Sequence, residues 1–318
     1  MRSSYRQIPA FVVRDLHNKN VTKIKTRSIS LDNYFSFNHG QIVYSAYETD
    51  PRWGWRDYSV IRLLDPATGE DRRLTRHSRY FAPDISPDGQ RIVAVQEAAD
   101  GSCALHLLDP STGSLLSQIP NRDSLFYTYP KFYTENTIVT AVRNRRGQMS
   151  LAAVSIADGQ PRYLLPFSWQ TIAFPSISAD TIYFTASRDG QDRPYALAAG
   201  RLFRVTLPHG DPLTGQYQLH APPNGPITWN TFTAAGFHLD TAARNETTLQ
   251  EIPVSDWRHD LPLQNIDSLS HGPAGLLNHI ATANYPATRY PLGSHLINFH
   301  SWRPYINDPD YSFSLGQR

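Results

Sequence analysis

The octet LLDPATGE at 63–70 returns almost letter for letter as LLDPSTGS at 107–114. In both, an apolar pair runs into Asp-Pro, a small residue, Thr and Gly. That order specifies a tight hairpin turn, because proline presets φ at an early corner and glycine accepts positive φ at a late one. The carboxylates of Asp65 and Asp109 stand where they can accept backbone N–H bonds within the turn. A reduced form, IADG, ends at Gly159, so Gly69, Gly113 and Gly159 are spaced by 44 and 46 residues. A second marker keeps the same step: Pro83 in YFAPDISPDG, Pro130 in TYPKFYTEN and Pro175 in AFPSISAD are 47 and 45 residues apart. Two markers sharing one period of roughly 45 residues point to the blades of a β-propeller.

Between the markers apolar residues alternate, the signature of strands. RIVAVQEA (91–98), CALHLLD (103–109) and LLSQI (115–119) read as successive strands joined by the ADGS and PSTGS turns. The octet is then the outer hairpin of a four-stranded blade, rewritten once per blade because a single blade cannot bury both of its faces. The expected fold is all-β, a propeller over 1–268 with blades at 33–75, 80–120, 126–165, 170–219 and, in degenerate form, 226–268. FVVRDLHNKNVTKI (11–24) matches SVIRLLDPATGEDRRL (59–74), so 11–26 is expected to be a half-blade of two outer strands. An unfinished blade exposes unpaired backbone groups. It is completed either by strands from elsewhere or, the favoured alternative, by residues upstream. Residues 269–318 leave the repeat and are expected to form an irregular C-terminal extension or connector.

Composition narrows the function classes. Thirty Lys and Arg against 28 Asp and Glu give a net charge of +2, which supplies no electrostatic reason to expect nucleic acid or an anionic membrane as partner. Cys103 is the sole cysteine, so no intrachain disulfide forms, and its place in an apolar run makes it a buried, inert thiol. No apolar run approaches the ~20 residues of a membrane-spanning helix. The opening MRSSYRQIPAFVVRDLHNKN lacks the apolar stretch of a secretory leader. No G-x-S-x-G, H-E-x-x-H, G-x-x-x-x-G-K-[ST] or G-x-G-x-x-G occurs, so neither an enzyme nor a bound cofactor is expected. The densest histidine group is His271, His279, His295 and His300; the last two are five apart, which on a strand puts them on opposite faces. No metal site is expected.

The stretch LTRHSRYFAPDISPDGQRIVAVQEAADGSCALHLLDPSTG (74–113) resembles the TolB-like, or WD-like, β-propeller repeat. The matching parts are LT closing one blade, P-x-ISPDGQRIVAV opening the next, and LDPSTG at the outer hairpin. The likeness covers 11–220 well and 226–268 weakly. It implies a propeller used as a periplasmic binding scaffold, or as a gating domain attached to a peptidase or another enzyme. The tail ATRYPLGSHLINFHSWRPYINDPDYSFSLG (287–316) is similar to the connector that precedes a membrane barrel in large bacterial outer-membrane proteins. That likeness implies a periplasmic or outer-membrane-associated propeller, attached to a barrel downstream. The leading expectation is a non-catalytic scaffold that binds protein or glycan in the bacterial envelope. The alternatives are an accessory propeller gating substrate entry to a larger peptidase through its central channel, and a truncated open frame without a function of its own.

Two segments are candidate ligand contacts. YETDPRWGWRDYS (47–59) is far longer than its counterparts AADGS and NRRGQ. Its Trp53, Trp55 and Tyr58, with Arg56 beside them, suit a platform for a sugar or an aromatic ligand, or else cap the neighbouring blade. RDGQDRPYALAAGRLF (188–203), with Arg193 and Tyr195, reads as an insertion in the equivalent hairpin of a later blade, which would bring both loops to one face. Within it Asp189-Gly190 is a turn signal.

Overall fold

The computed structural model describes residues 2–4, 7–30, 34–53, 55–188, 190–208, 214–234, 236–257 and 286. The chain divides into two compact units, Met1–Gln264 and Asn265–Arg318. The extension expected at 269–318, with its histidines and HSWRP segment, lies outside the described residues except for Pro286.

Every described sheet is antiparallel, and its strands follow chain order except for one late edge strand. A three-stranded sheet comes first: β1 (Arg2–Ser4), β2 (Gln7–Arg14) and β3 (Val21–Thr26). Blade 1 is β4 (Phe35–Asn38), β5 (Gln41–Thr49), β6 (Asp57–Leu64) and β7 (Asp71–Arg73). Blade 2 is β8 (Tyr80–Ile85), β9 (Ile92–Glu97), β10 (Cys103–Leu108) and β11 (Leu115–Ile119). Blade 3 is β12 (Phe126–Thr134), β13 (Thr137–Arg143), β14 (Met149–Ser155) and β15 (Pro161–Tyr163). Blade 4 is β16 (Ile172–Ser178), β17 (Thr181–Arg188), β18 (Gln191–Ala198) and β19 (Arg201–Thr206). Blade 5 is β20 (Gln216–His220), β21 (Ile227–Thr233) and β22 (Gly236–Ala242), and β23 (Thr248–Ile252) follows. The fold is an all-β, five-bladed propeller arrangement preceded by the small first sheet.

The blades are held by apolar layers, one between each pair of sheets consecutive in the chain. On β13, Ile138 and Val142 pack with Leu105 and Leu107 of blade 2, while Val139 and Ala141 turn the other way onto Ile182 and Phe184 of blade 4. This alternation explains why the middle strands read as nearly unbroken apolar runs: both faces are buried. Tyr183 and Ala196 continue the series onto Leu219 and Trp229 of blade 5, and Phe11 of β2 packs on Tyr44 and Leu64 of blade 1. Each fully buried Val, Leu or Ile contributes roughly 1.5–3 kcal/mol, which holds the ring without a disulfide. Cys103 is buried, and burial pushes its thiol up to about 11.

The repeated octet takes the turn its residues predict. Asp65 Oδ1 accepts the Ala67 N–H at 2.8 Å, and Asp109 Oδ1 accepts those of Ser111 and Thr112 at 2.8 Å. The Ser111 hydroxyl, followed by the two N–H donors, draws the Asp109 carboxyl down to about 2. The turns close with Gly69 and Gly113 N–H bonded to the Asp65 and Asp109 carbonyls. Asp15 repeats the device in the first sheet.

The proline marker also has a structural cause. Ala82, Tyr129 and Phe174, each just before a marker proline, have φ of 43°, 53° and 53°, and each sits in a register break of the innermost strand. Such a bulge bends the strand and re-aims its side chains. Gln218 of β20 has the same geometry at 53°, but Leu219 follows it instead of proline. The expected 170–219 blade thus runs too far, since residues 216–219 belong to β20, which opens blade 5.

Three further boundaries differ from expectation. TTLQEIPV does not complete blade 5; β23 crosses to pair with β19 along Leu202–Thr206, giving blade 4 a fifth strand. Trp257 anchors this crossover, wholly buried against Phe184 and Tyr195 with ring centroids at 5.9 and 5.5 Å. The first sheet gains a third strand, β1, beyond the two expected. The stretch 188–203 is no long loop: Arg188 pairs with Gln191, and Ala198 with Arg201, so two tight turns flank an eight-residue strand. Ala199 and Gly200 both have positive φ, the conformation a two-residue hairpin requires.

Candidate functional site

The innermost strands bring polar side chains of different blades together. Asp84 of β8 accepts a bond from the Ser36 hydroxyl of β4, from Lys131 Nζ of β12 at 2.9 Å and from the Phe132 N–H at 2.9 Å. Lys131 Nζ also reaches Ser36 Oγ at 3.1 Å. Blades 1 and 3 are not neighbours in the meander order, so their contact lies where inner strands converge, at the axis. Burial alone would lower the Lys131 pKa, but the Asp84 carboxylate and Tyr34 override it and hold the ammonium charged. Beside this cluster, the rings of Tyr34 and Tyr129 lie 5.0 Å apart and those of Tyr129 and Phe174 4.5 Å apart. These side chains converge near the axis through hydrogen bonds and ring contacts, which makes them a structural hub.

A more open site lies where blades 1 and 2 meet. The long connection between β5 and β6 is fixed from within: Asp50 Oδ1 accepts the N–H groups of Arg52 and Trp53 at 2.8 and 3.1 Å, and the Arg56 N–H bonds the Trp53 carbonyl at 2.8 Å. The Arg52 N–H bond, with help from the Tyr58 hydroxyl, lowers the Asp50 pKa against the cost of desolvation. Trp53 is 57% exposed and Trp55 fully so. Arg52 lies over the Trp53 ring at 5.2 Å, and Arg56 over Tyr58 at 5.2 Å. Tyr58 is half-buried; its hydroxyl donates to Asp50 Oδ2 at 3.0 Å and its ring meets His77 at 4.7 Å.

His77 is one wall of an open groove of about 360 Å³ that continues over Tyr80, Gln96, Glu97 and His106. Tyr80 Oη and His106 Nδ1 are 2.9 Å apart, and burial lowers the His106 pKa, so the imidazole is held neutral. At the groove the Ser59 N–H bonds the Ser78 carbonyl, the Glu97 N–H that of Arg79, and the Ala98 N–H that of Ser102.

Of the residues singled out in the sequence, Trp53, Trp55, Arg56 and Tyr58 share one surface, and the groove adjoins it. Arg193 and Tyr195 stand apart on β18. Tyr195 is 2% exposed, stacked on Phe184 in the layer that Trp257 closes, and belongs to the core rather than to a loop. Sequence reasoning missed His77, Tyr80, Glu97 and His106. Their signal is weak, since each sits in a stretch that strand pairing alone explains. Among the described residues no group of His, Cys, Asp and Glu could hold a metal ion, and no helix is long and apolar enough to cross a membrane.

No family model matches the chain, and no curated protein matches it in sequence. Solved structures do match in fold. TolB from Agrobacterium tumefaciens aligns over 75% of this chain and 86% of its own at 14% identity and a TM-score of 0.51. TolB from Acinetobacter baumannii aligns over 75% of this chain and 60% of its own at 16% identity and a TM-score of 0.50. The β-propeller domain of the Trilobed protease from Pyrococcus furiosus aligns over 70% and 83% at 10% identity and 0.46. The chain thus has a β-propeller fold similar to that of TolB.

Proposed function

We propose that this chain is a non-catalytic scaffold that binds a protein or glycan in the bacterial cell envelope, through the face that carries the 50–56 loop. The observation that carries this is a pair of solvent-facing indoles, Trp53 and Trp55, on a loop that Asp50 holds in one shape. Large exposed aromatic rings have no stabilising role in water, while rigid, pre-shaped loops on a stable frame are where binding concentrates. The lack of nucleophile-elbow and zinc motifs in the sequence, and the buried Cys103, support a role without catalysis. The envelope setting is supported by the likeness of the 74–113 repeat to TolB-like sequences. Gating of a peptidase through the axis fits less well, since Tyr34, Tyr129, Phe174 and the Lys131–Asp84 pair occupy that path.

The test is retention of detergent-solubilised envelope proteins and of cell-wall glycan fragments on immobilised protein. Trp53→Ala with Trp55→Ala is expected to abolish retention and leave the melting temperature unchanged. Undiminished retention would overturn the assignment of this face, and a large loss of stability would make the rings structural.

A further inference from the structure

We infer that the groove between blades 1 and 2 is a saccharide subsite, with His77 and Tyr80 supplying ring surfaces and Gln96 and His106 the polar contacts. This rests on the binding role proposed for the adjoining loop and names the chemistry of its ligand. Three observations point the same way.

The first is the backbone. A peptide that docks in extended form needs an open strand edge to pair with. Here the edges are taken: Ser59 and Arg79 bridge the two blades, and Ser59, Glu97 and Ala98 have their N–H groups bonded within the protein. Recognition in the groove therefore runs through side chains.

The second is the kind of side chain. Gln96 offers an amide donor and acceptor, and neutral His106 a ring nitrogen beyond the one facing Tyr80. Gln96 has no side-chain hydrogen bond among the described residues. Such planar groups suit adjacent hydroxyls, which both donate and accept. Aromatic faces next to them suit the C–H face of a sugar ring, apolar on one side and polar at its rim.

The third is size and placement. A volume of about 360 Å³ lies near the lower end of the roughly 300–1,000 Å³ of small-ligand sites. The groove is open along one side and contiguous with Trp53 and Trp55 through the Tyr58–His77 contact at 4.7 Å, so a longer chain of sugars can run from the groove onto the indoles.

The experiment is titration of the purified chain with soluble oligosaccharides, namely N-acetylglucosamine oligomers, maltooligosaccharides and peptidoglycan-derived muropeptides, against a control set of unstructured peptides, followed by tryptophan fluorescence and calorimetry. At least one saccharide series is expected to bind, with affinity reduced roughly tenfold or more by Gln96→Ala and unchanged by Glu97→Ala, whose side chain lies on the opposite face of β9. Gln96→Glu, which keeps the shape, is expected to restore part of the loss, and both Ala variants are expected to melt with the parent. Saccharide binding indifferent to Gln96, or none in any series, overturns the inference. Peptide binding that depends on Trp53 and Trp55 without saccharide binding overturns it while leaving the scaffold reading in place. Loss of every ligand class removes both.

Discussion

Lys131 Nζ of blade 3 and Asp84 Oδ1 of blade 2 meet 2.9 Å apart at the axis of the ring, with 18% and 7% of their side chains exposed. The pair ties two inner strands to each other and, through Ser36, to a third. Removing one member of such a pair strands a charge in a poorly solvated place. Asp84→Ala is expected to cost about 3–5 kcal/mol in urea unfolding, whereas Asp84→Leu combined with Lys131→Met recovers most of the loss. A single variant as stable as the parent would mean that the axis is wet and the pair incidental.

The turn glycines of the repeat carry an internal control. A Cβ on Gly113 would lie 2.1 Å from the Leu74 carbonyl oxygen, and one on Gly159 1.9 Å from that of Pro120, while one on Gly69 meets no described atom within 4 Å. All three have φ near 72°. Gly69→Ala should therefore show only the left-handed backbone penalty of about 1–2 kcal/mol. Gly113→Ala and Gly159→Ala add a backbone clash between blades and should melt distinctly lower. Equal melting points for the three variants would contradict the packing of each outer hairpin on the preceding blade.

Tryptophans divide into two kinds. Trp257 is wholly buried on Phe184 and Tyr195, and Trp257→Ala is expected to destabilise by about 3–5 kcal/mol. Trp55→Ala, at a fully exposed site, should change stability by less than about 0.5 kcal/mol. Thermal melts of the two variants side by side test both the docking of β23 on blade 4 and the free standing of the 50–56 loop.

Acid sensitivity should start at histidine. Burial lowers the His106 pKa in the folded state, so the unfolded chain binds its proton first. The stability His106 contributes is present above its unfolded pKa, about 6.5, and is lost as pH falls from there through its folded value. His220, lowered by its surroundings and then by Lys131, acts in the same sense. Asp65 and Asp109, drawn down by their turn donors, titrate at lower pH and do not obscure this window. Melting temperature against pH from 7.5 to 5 should fall less steeply for His106→Gln than for the parent. Parallel curves would show that His106 is not protected from protonation.

Much of the frame was legible because it is written in local chemistry. Asp-Pro at the head of a turn, Gly at its tail and alternating apolar residues between turns depend on φ, on reach within a few residues and on strand pleat, all of which act over short chain distances. Trp53 and Trp55 stood out for the same reason, as aromatics in a loop longer than its siblings. Arg193 and Tyr195 misled because Asp-Gly and Ala-Gly turns lie so close together that an eight-residue strand between them resembles an insertion.

By itself, then, the sequence determined the repeating unit, the all-β class and the position of most turns, since each follows from residues that are neighbours along the chain. Tertiary structure alone decided that β23 leaves blade 5 for the edge of blade 4, that Lys131 finds Asp84 and Ser36 at the axis, and that Tyr80, Glu97 and His106 open as a groove beside the tryptophan loop. The physical reason is that these contacts join segments tens of residues apart. The side-chain pattern of any one strand fixes which face is apolar, but not which partner that face meets.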